Sequence, residues 1–207
     1  MTTKPYIIGV CGGTASGKTY FLDRLQMQLP VGTATLISID DFYKPREEQP
    51  VDENNISNFD TPASIHWQGF HAAIAQLHKG EQVKVKKYAF NNPSASEEWM
   101  EWNPAKVWIV EGLFCLHDEK LRSMFDMTVF IDPEEHVKVF RRIERDHAER
   151  GYDLKYVAYR YLHHVMPAYQ KYVKPYRSKA HVIIPNNEDL GPVVELWAAF
   201  IKEKAKL

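Results

Sequence analysis

The segment "GVCGGTASGKTYF", from Gly9 to Phe21, constrains the fold of this chain more than any other. It follows "YIIGV", a short apolar run rich in β-branched residues that reads as a buried strand. Beyond it, Phe21, Leu22, Leu25 and Leu29 fall on one face of a helix. Gly12, Gly17, Lys18 and Thr19 match the pattern G-x-x-x-x-G-K-[ST] between these two elements. Glycines let such a loop curl until its backbone N–H groups converge on a phosphate, and the helix N-terminus adds positive potential. Gly12, Gly13, Thr14, Ala15, Ser16, Gly17, Lys18 and Thr19 are therefore the candidate cradle. Lys18 is expected to bridge the β- and γ-phosphates of ATP, and the Thr19 hydroxyl to ligate Mg²⁺.

Four further strands read from the sequence: "ATLISI", "VWIVEG", "MTVFID" and "HVIIP". Helical patterns lie near residues 67–79, 134–148, 154–172 and 190–204, and Pro167 is expected to kink or divide the third. Strands alternating with helices imply a mainly parallel sheet covered on both faces, an α/β fold of the P-loop nucleoside triphosphate hydrolase type. Residues 47–103 are richer in Pro, Asn and aromatics. They read as a substrate-side insertion, a helix and a small β-hairpin at the sheet's edge, within a single domain over residues 1–207. The net charge of −1 offers no basic field for nucleic acid or membrane. Cys11 and Cys115 lie in apolar settings and read as buried thiols of a reducing compartment. No apolar run nears the roughly 18 residues that span a bilayer, and the N-terminus lacks a signal-peptide pattern. A cytoplasmic protein is expected.

In doubly wound sheets, ligands bind beyond the carboxyl ends of strands. Asp40 follows the second strand in "SIDDFYKP", and Glu111 ends the third in "VWIVEG". Glu111 suits an acid that holds Mg²⁺ and its waters, Asp40 suits an orienter or general base for an attacking hydroxyl, and Thr19, Glu111 and Asp40 are the candidate metal residues. Asp41 is the rival base, with helix capping as its plainer role. "FRRIERDHAERGYD" carries Arg141, Arg142, Arg145 and Arg150. Arg142 and Arg145 share a helical face and Arg141 points elsewhere. Glu144, Asp146 and Glu149 interleave with them, as on a solvated, salt-bridged helix. In a chain with a phosphate loop the same arginines suit a lid over residues 141–153, with Gly151 permitting the chain to reverse.

In their order, "GVCGGTASGKT", "SIDDFYKP", "NFDTPASI", "VWIVEGLF", "FRRIERDHAERGYDL" and "VMPAYQKYVKPYRSKAHVIIP" resemble the uridine kinase (uridine–cytidine kinase) family of the phosphoribulokinase group, over roughly residues 5–186. The resemblance implies ATP and Mg²⁺ as cofactors and transfer of a phosphoryl group to a nucleoside 5′-hydroxyl. It makes Asp40 the catalytic carboxylate and Glu111 the magnesium-associated acid. Phe59 and Asp60 would flank the sugar, with Asp60 on the ribose hydroxyls. Tyr88 and Phe90 would surround the base. Arg142 would serve the substrate side, and Arg145 and Arg150 the ATP phosphates. The family is commonly homo-oligomeric.

The departures fall on the base pocket. Pro93 stands where a His or Tyr usually reads the pyrimidine, with the Asn92 amide as the substitute donor and acceptor. Tyr152 replaces a substrate-side arginine, and Arg160 stands where a Gln usually faces the base. Another alcohol acceptor is the alternative: another nucleoside, nicotinamide riboside, a pantothenate-like alcohol, or a sugar phosphate with Arg160 at its anion. A regulatory nucleotide binder is less well matched, because neither N-K-x-D nor an LSGGQ-type signature occurs. The pair His163–His164 reads as solvated helix histidines, and Trp99 and Trp102 as hairpin packing or a partner contact. Arg177 is a minor candidate for the nucleotide.

Overall fold

The computed structural model describes residues 4–88 and 97–206. Five parallel strands form the main sheet: β1 (Tyr6–Gly12), β2 (Ala34–Ser38), β5 (Val107–Glu111), β6 (Met127–Ile131) and β7 (Val182–Ile184). Their spatial order is β2-β5-β1-β6-β7, so β1 and its loop lie at the centre. β3 (Val83–Lys86) and β4 (Trp99–Trp102) form a separate antiparallel pair. It stands beside edge strand β2, where the Thr35 hydroxyl donates to the Asn103 carbonyl.

The strands read as near-continuous apolar runs because both faces are covered. Ile7 and Cys11 of β1 face one core with Ile37, Trp108, Val110 and Phe130. Helix α2 (Trp67–His78) closes that face through Phe70, Ile74 and Leu77, and the hairpin adds Val83, Val85 and Trp102. Ile8 and Val10, one residue out of step, face the other core. There α1 (Lys18–Gln28) contributes Phe21, Leu22 and Leu25, and α7 (Gly191–Ala205) contributes Val194, Trp197 and Ile201. Cys11 and Cys115 are buried free thiols, as expected. Trp102 packs into the core while Trp99 stays exposed.

The helix α3 (Glu119–Arg122) is too short to leave a periodic signal and was not expected from the sequence. Helix α4 (Glu135–Glu144) widens into a π-helical segment, Arg145–Glu149. Pro167 does not end its helix. It lies in α6 (Met166–Ala168), which follows α5 (Leu154–Arg160) and is flanked by π-helical turns at Tyr161–Val165 and Tyr169–Val173. Among the described residues no helix is long and apolar enough to cross a membrane.

Candidate active site

The loop after β1 is shaped by close approach. Gly17 adopts φ +87°, and a Cβ there would sit 2.1 Å from Asn186 Nδ2. That amide donates to the Ser16 carbonyl at 2.8 Å. A Cβ on Gly12 would meet the Ile131 carbonyl at 2.5 Å. Ala15 also takes a positive φ, 55°. Lys18 Nζ donates to the Gly12 and Gly13 carbonyls at 3.1 and 3.3 Å, so its ammonium lies over the loop mouth. Thr19 is exposed to the cleft, while the Ser16 hydroxyl is buried without a hydrogen-bond partner.

A cleft of about 1330 Å³ opens from this loop, lined at one end by Thr14–Thr19 and at the other by Phe59, Asp60, Tyr88, Tyr152 and Arg160. Single-ligand pockets are about 300–1,000 Å³, so the space suits two reactants. Between the ends lie Asp40 and Glu111. Ser38 joins their two strands: its hydroxyl donates to Glu111 Oε1 at 2.5 Å and accepts the Asp40 N–H at 3.2 Å. Burial raises the Asp40 carboxyl, against the pull of Lys18, Arg145 and Arg150. Burial and the neighbouring Asp40 push Glu111 up to about 7. Two crowded, desolvated acids are a place where a cation relieves strain. Among the described residues no group of three or more His, Cys, Asp or Glu side chains makes a metal site alone. The neighbouring carboxylates Asp40 and Glu111 and the Thr19 hydroxyl are the oxygen donors that a hard cation such as Mg²⁺ takes.

Asp41 is not a helix cap, a place that Ser38 takes. Its Oδ1 accepts the Tyr88 backbone N–H at 3.1 Å, and burial lifts its carboxyl to about 6. Asp41 thereby fixes Tyr88, whose ring lies 5.3 Å from Tyr43, itself 6.2 Å from Phe59. This aromatic wall includes Tyr43, which sequence reasoning missed although it sits in "DDFYKP". Phe90, Asn92 and Pro93 lie outside the described residues.

The arginines converge on the phosphate loop rather than on solvent. Arg142 Nη1 donates to Thr14 Oγ1 at 2.9 Å, and Arg145 Nη2 reaches the same oxygen at 3.5 Å. The organiser is Asp146, 3% exposed. It pairs with Arg142 at 3.0 Å, Arg145 at 3.0 Å and Arg150 at 3.2 Å. Desolvation lowers the pKa of Arg142 and of Arg150. Nothing in the sequence singled out Asp146, because interleaved charges look alike whether they face water or a cleft. Arg141 does point elsewhere, to the Asn186 carbonyl at 2.9 Å. Gly151 takes φ +68°, as a chain reversal needs. Arg177 pairs with Asp132 at 2.5 Å, away from the cleft lining.

At the far end Arg160 Nη2 lies 3.6 Å from Asp60 Oδ2, with its guanidinium 5.6 Å from the Phe59 ring centre and 5.8 Å from that of Tyr156. Tyr152 packs 5.2 Å from Tyr156. His164 corrects the sequence reading: it is not solvated but 2% exposed, and it pairs with Asp52 at 2.7 Å.

A loop of converging N–H groups is a place for phosphates. A half-buried acid facing it across a cleft with room for two reactants is a place for an acceptor, and a protein built this way is a P-loop kinase. The chain belongs to the Phosphoribulokinase / Uridine kinase family, whose model matches residues 7–190. It is 34% identical to Uridine-cytidine kinase B of Dictyostelium discoideum over 97% of this chain and 82% of that protein. It is also 34% identical to Uridine-cytidine kinase A of the same organism over 98% of this chain, but spans only 40% of that protein's length. The fold resembles a solved Bacillus stearothermophilus structure described as a possible uridine kinase. That match has TM-score 0.61 and 16% identity, over 89% of this chain and 90% of the other.

Proposed function

We propose that this kinase transfers the γ-phosphoryl group of ATP to the 5′-hydroxyl of uridine or cytidine, giving the nucleoside monophosphate. The observation that carries the reading is the single cleft that joins the Gly12–Thr19 loop, Asp40 and the Phe59–Asp60 end, in a chain whose relatives bear uridine–cytidine kinase names. The loop N–H groups and Lys18 hold the β- and γ-phosphates. Thr19, Glu111 and Asp40 would hold Mg²⁺. When bound, the ion neutralises phosphate charge and orients the oxygens for in-line transfer. Asp40 accepts a hydrogen bond from the 5′-hydroxyl and aligns it, and its raised pKa makes it a better base than a solvated carboxylate. Asp60 receives the sugar hydroxyls beside Phe59, and Tyr88 borders the base. Arg142, Arg145 and Arg150 close over the transferring group and stabilise its charge. The setting that follows is pyrimidine salvage by a cytoplasmic homo-oligomer acting on a small molecule. The alternative of a sugar-phosphate acceptor loses its anion site, because Arg160 is already opposed by Asp60.

ADP production with MgATP, measured against uridine, cytidine, other ribonucleosides, deoxyribonucleosides, nicotinamide riboside and sugar phosphates, tests the reading. Turnover is expected to be fastest with uridine or cytidine. Fastest turnover with another alcohol overturns it. Asp40→Asn should abolish turnover yet leave ATP binding nearly unchanged, and near wild-type turnover would remove Asp40 from the mechanism.

A further inference from the structure

The loop that carries Phe59 and Asp60 is held by little apolar surface: residues 53–55 are exposed and its ladder is a single bridge, Val51 to Ser57. Its organiser is Asp52. One carboxylate oxygen accepts the Asn54 and Ile56 backbone N–H groups, both at 2.9 Å. The other meets the Tyr159 hydroxyl and His164 Nε2, both at 2.7 Å. Asn54 Nδ2 donates to the same Tyr159 oxygen at 2.7 Å. Burial would raise the Asp52 carboxyl, but the bonds from Ile56, Tyr159 and His164 hold it well below the usual carboxylate range. Charge-assisted bonds of this kind are the strong ones.

Tyr159, Arg160 and His164 come from one helical run, and Asp52 and Asp60 from one loop. Arg160 meets Asp60 between the two residues that grip Asp52. Asp60 Oδ2 and Arg160 Nε are both buried without hydrogen-bond partners. Beside their 3.6 Å ion pair they line the cleft as an acceptor and a donor for a ligand.

We propose that Asp52 is a positioning residue for the phosphoryl acceptor. By fastening the loop to the helix it sets the spacing of Asp60 and Arg160, and through them the affinity for the acceptor's hydroxyl groups. The proposal rests on the reading of that end of the cleft as the acceptor site.

The test is a double-mutant cycle of Asp52→Ala with Arg160→Gln, read as separate KM values for acceptor and ATP. Asp52→Ala is expected to raise the acceptor KM by about tenfold and leave the ATP KM within about twofold. In the Arg160→Gln background the same change should cost less than about threefold, because the partner it positions is gone. An equal penalty in both backgrounds, an equal rise in the ATP KM, or no change overturns the proposal. Should Asp52→Ala not fold, Tyr159→Phe and the pair His164→Gln and His164→Leu replace it. The Gln variant keeps an N–H donor and should stay nearer the wild-type acceptor KM than the Leu variant, and equal KM values for the two overturn the proposal. Wild-type inactivity on every alcohol of the panel overturns the acceptor site itself. Wild-type turnover with an unmoved acceptor KM overturns the clamp alone.

Discussion

Asp146 shows how one side chain can decide what its neighbours do. Three guanidinium groups lie within 3.2 Å of its carboxylate, and two of them also reach Thr14 of the phosphate loop. Without that anion the arginines would repel one another and turn to water. Arg142, 5% exposed, has least freedom to do so. Removing one partner of a fully buried pair costs about 3–5 kcal/mol; Arg145 and Arg150 are part-exposed, so the loss in Asp146→Ala should fall toward the lower end. The variant should melt several degrees below the parent and, if these cations meet developing charge as proposed, lose at least about tenfold in kcat. Unchanged kcat in a folded Asp146→Ala protein would remove this cluster from the transition state. Of the candidate site residues, Lys18, Thr19, Asp40 and Glu111 were legible as candidates because each lies at the phosphate loop, at a strand end or just past one. Asp41, Ser38, Asp52 and Asp146 were not, because their roles depend on which residues the fold brings opposite them from far along the chain.

At the scale of elements, the strands and long helices were legible and the departures from regularity were not. Apolar runs and the hairpin's alternation come directly from what each face buries, so β1, β2, β5, β6 and β7 fell where expected. The π-helical turns on either side of Pro167, at Tyr161–Val165 and Tyr169–Val173, carry no such periodicity. The phosphate loop makes its own testable demand. Gly17 combines φ +87° with a Cβ position 2.1 Å from Asn186 Nδ2, the amide that holds the Ser16 carbonyl. Gly17→Ala must therefore either distort the loop or expel Asn186. It should lower the unfolding free energy measured by denaturant titration by more than the roughly 1 kcal/mol of an ordinary glycine substitution, and weaken ATP binding along with it. An Asn186→Ala background should relieve the collision but not the backbone strain, so only part of the stability should return. Full recovery there would assign the whole effect to sterics.

Over the whole molecule, the central sheet concentrates charge where the fold can least solvate it. Glu111 lies between β1 and β2 at the carboxyl edge, Ser38 beside it and Asp40 near. Burial and Asp40 lift its pKa to about 7 from an ordinary value of 4.5. The folded protein then binds a proton that the unfolded chain has already released at intermediate pH. Stability must fall as pH rises from about 4.5 to about 7 and level off above, the reverse of a salt-bridged carboxylate. Glu111→Gln removes the penalty without changing the shape. It should melt at nearly the parent's temperature at pH 5 and above it at pH 8, by about 2–4 °C for each kcal/mol recovered. Divalent cation binding should follow the same proton. Parent affinity should decline as pH drops below about 7, where Glu111 must lose its proton to act as a ligand. Thermal melts of both proteins across this range, with and without MgCl₂, separate the two effects. A parent curve that rises with pH would place the strained acid elsewhere than Glu111, and an Mg²⁺-induced shift equal in both proteins would remove Glu111 from the cation site.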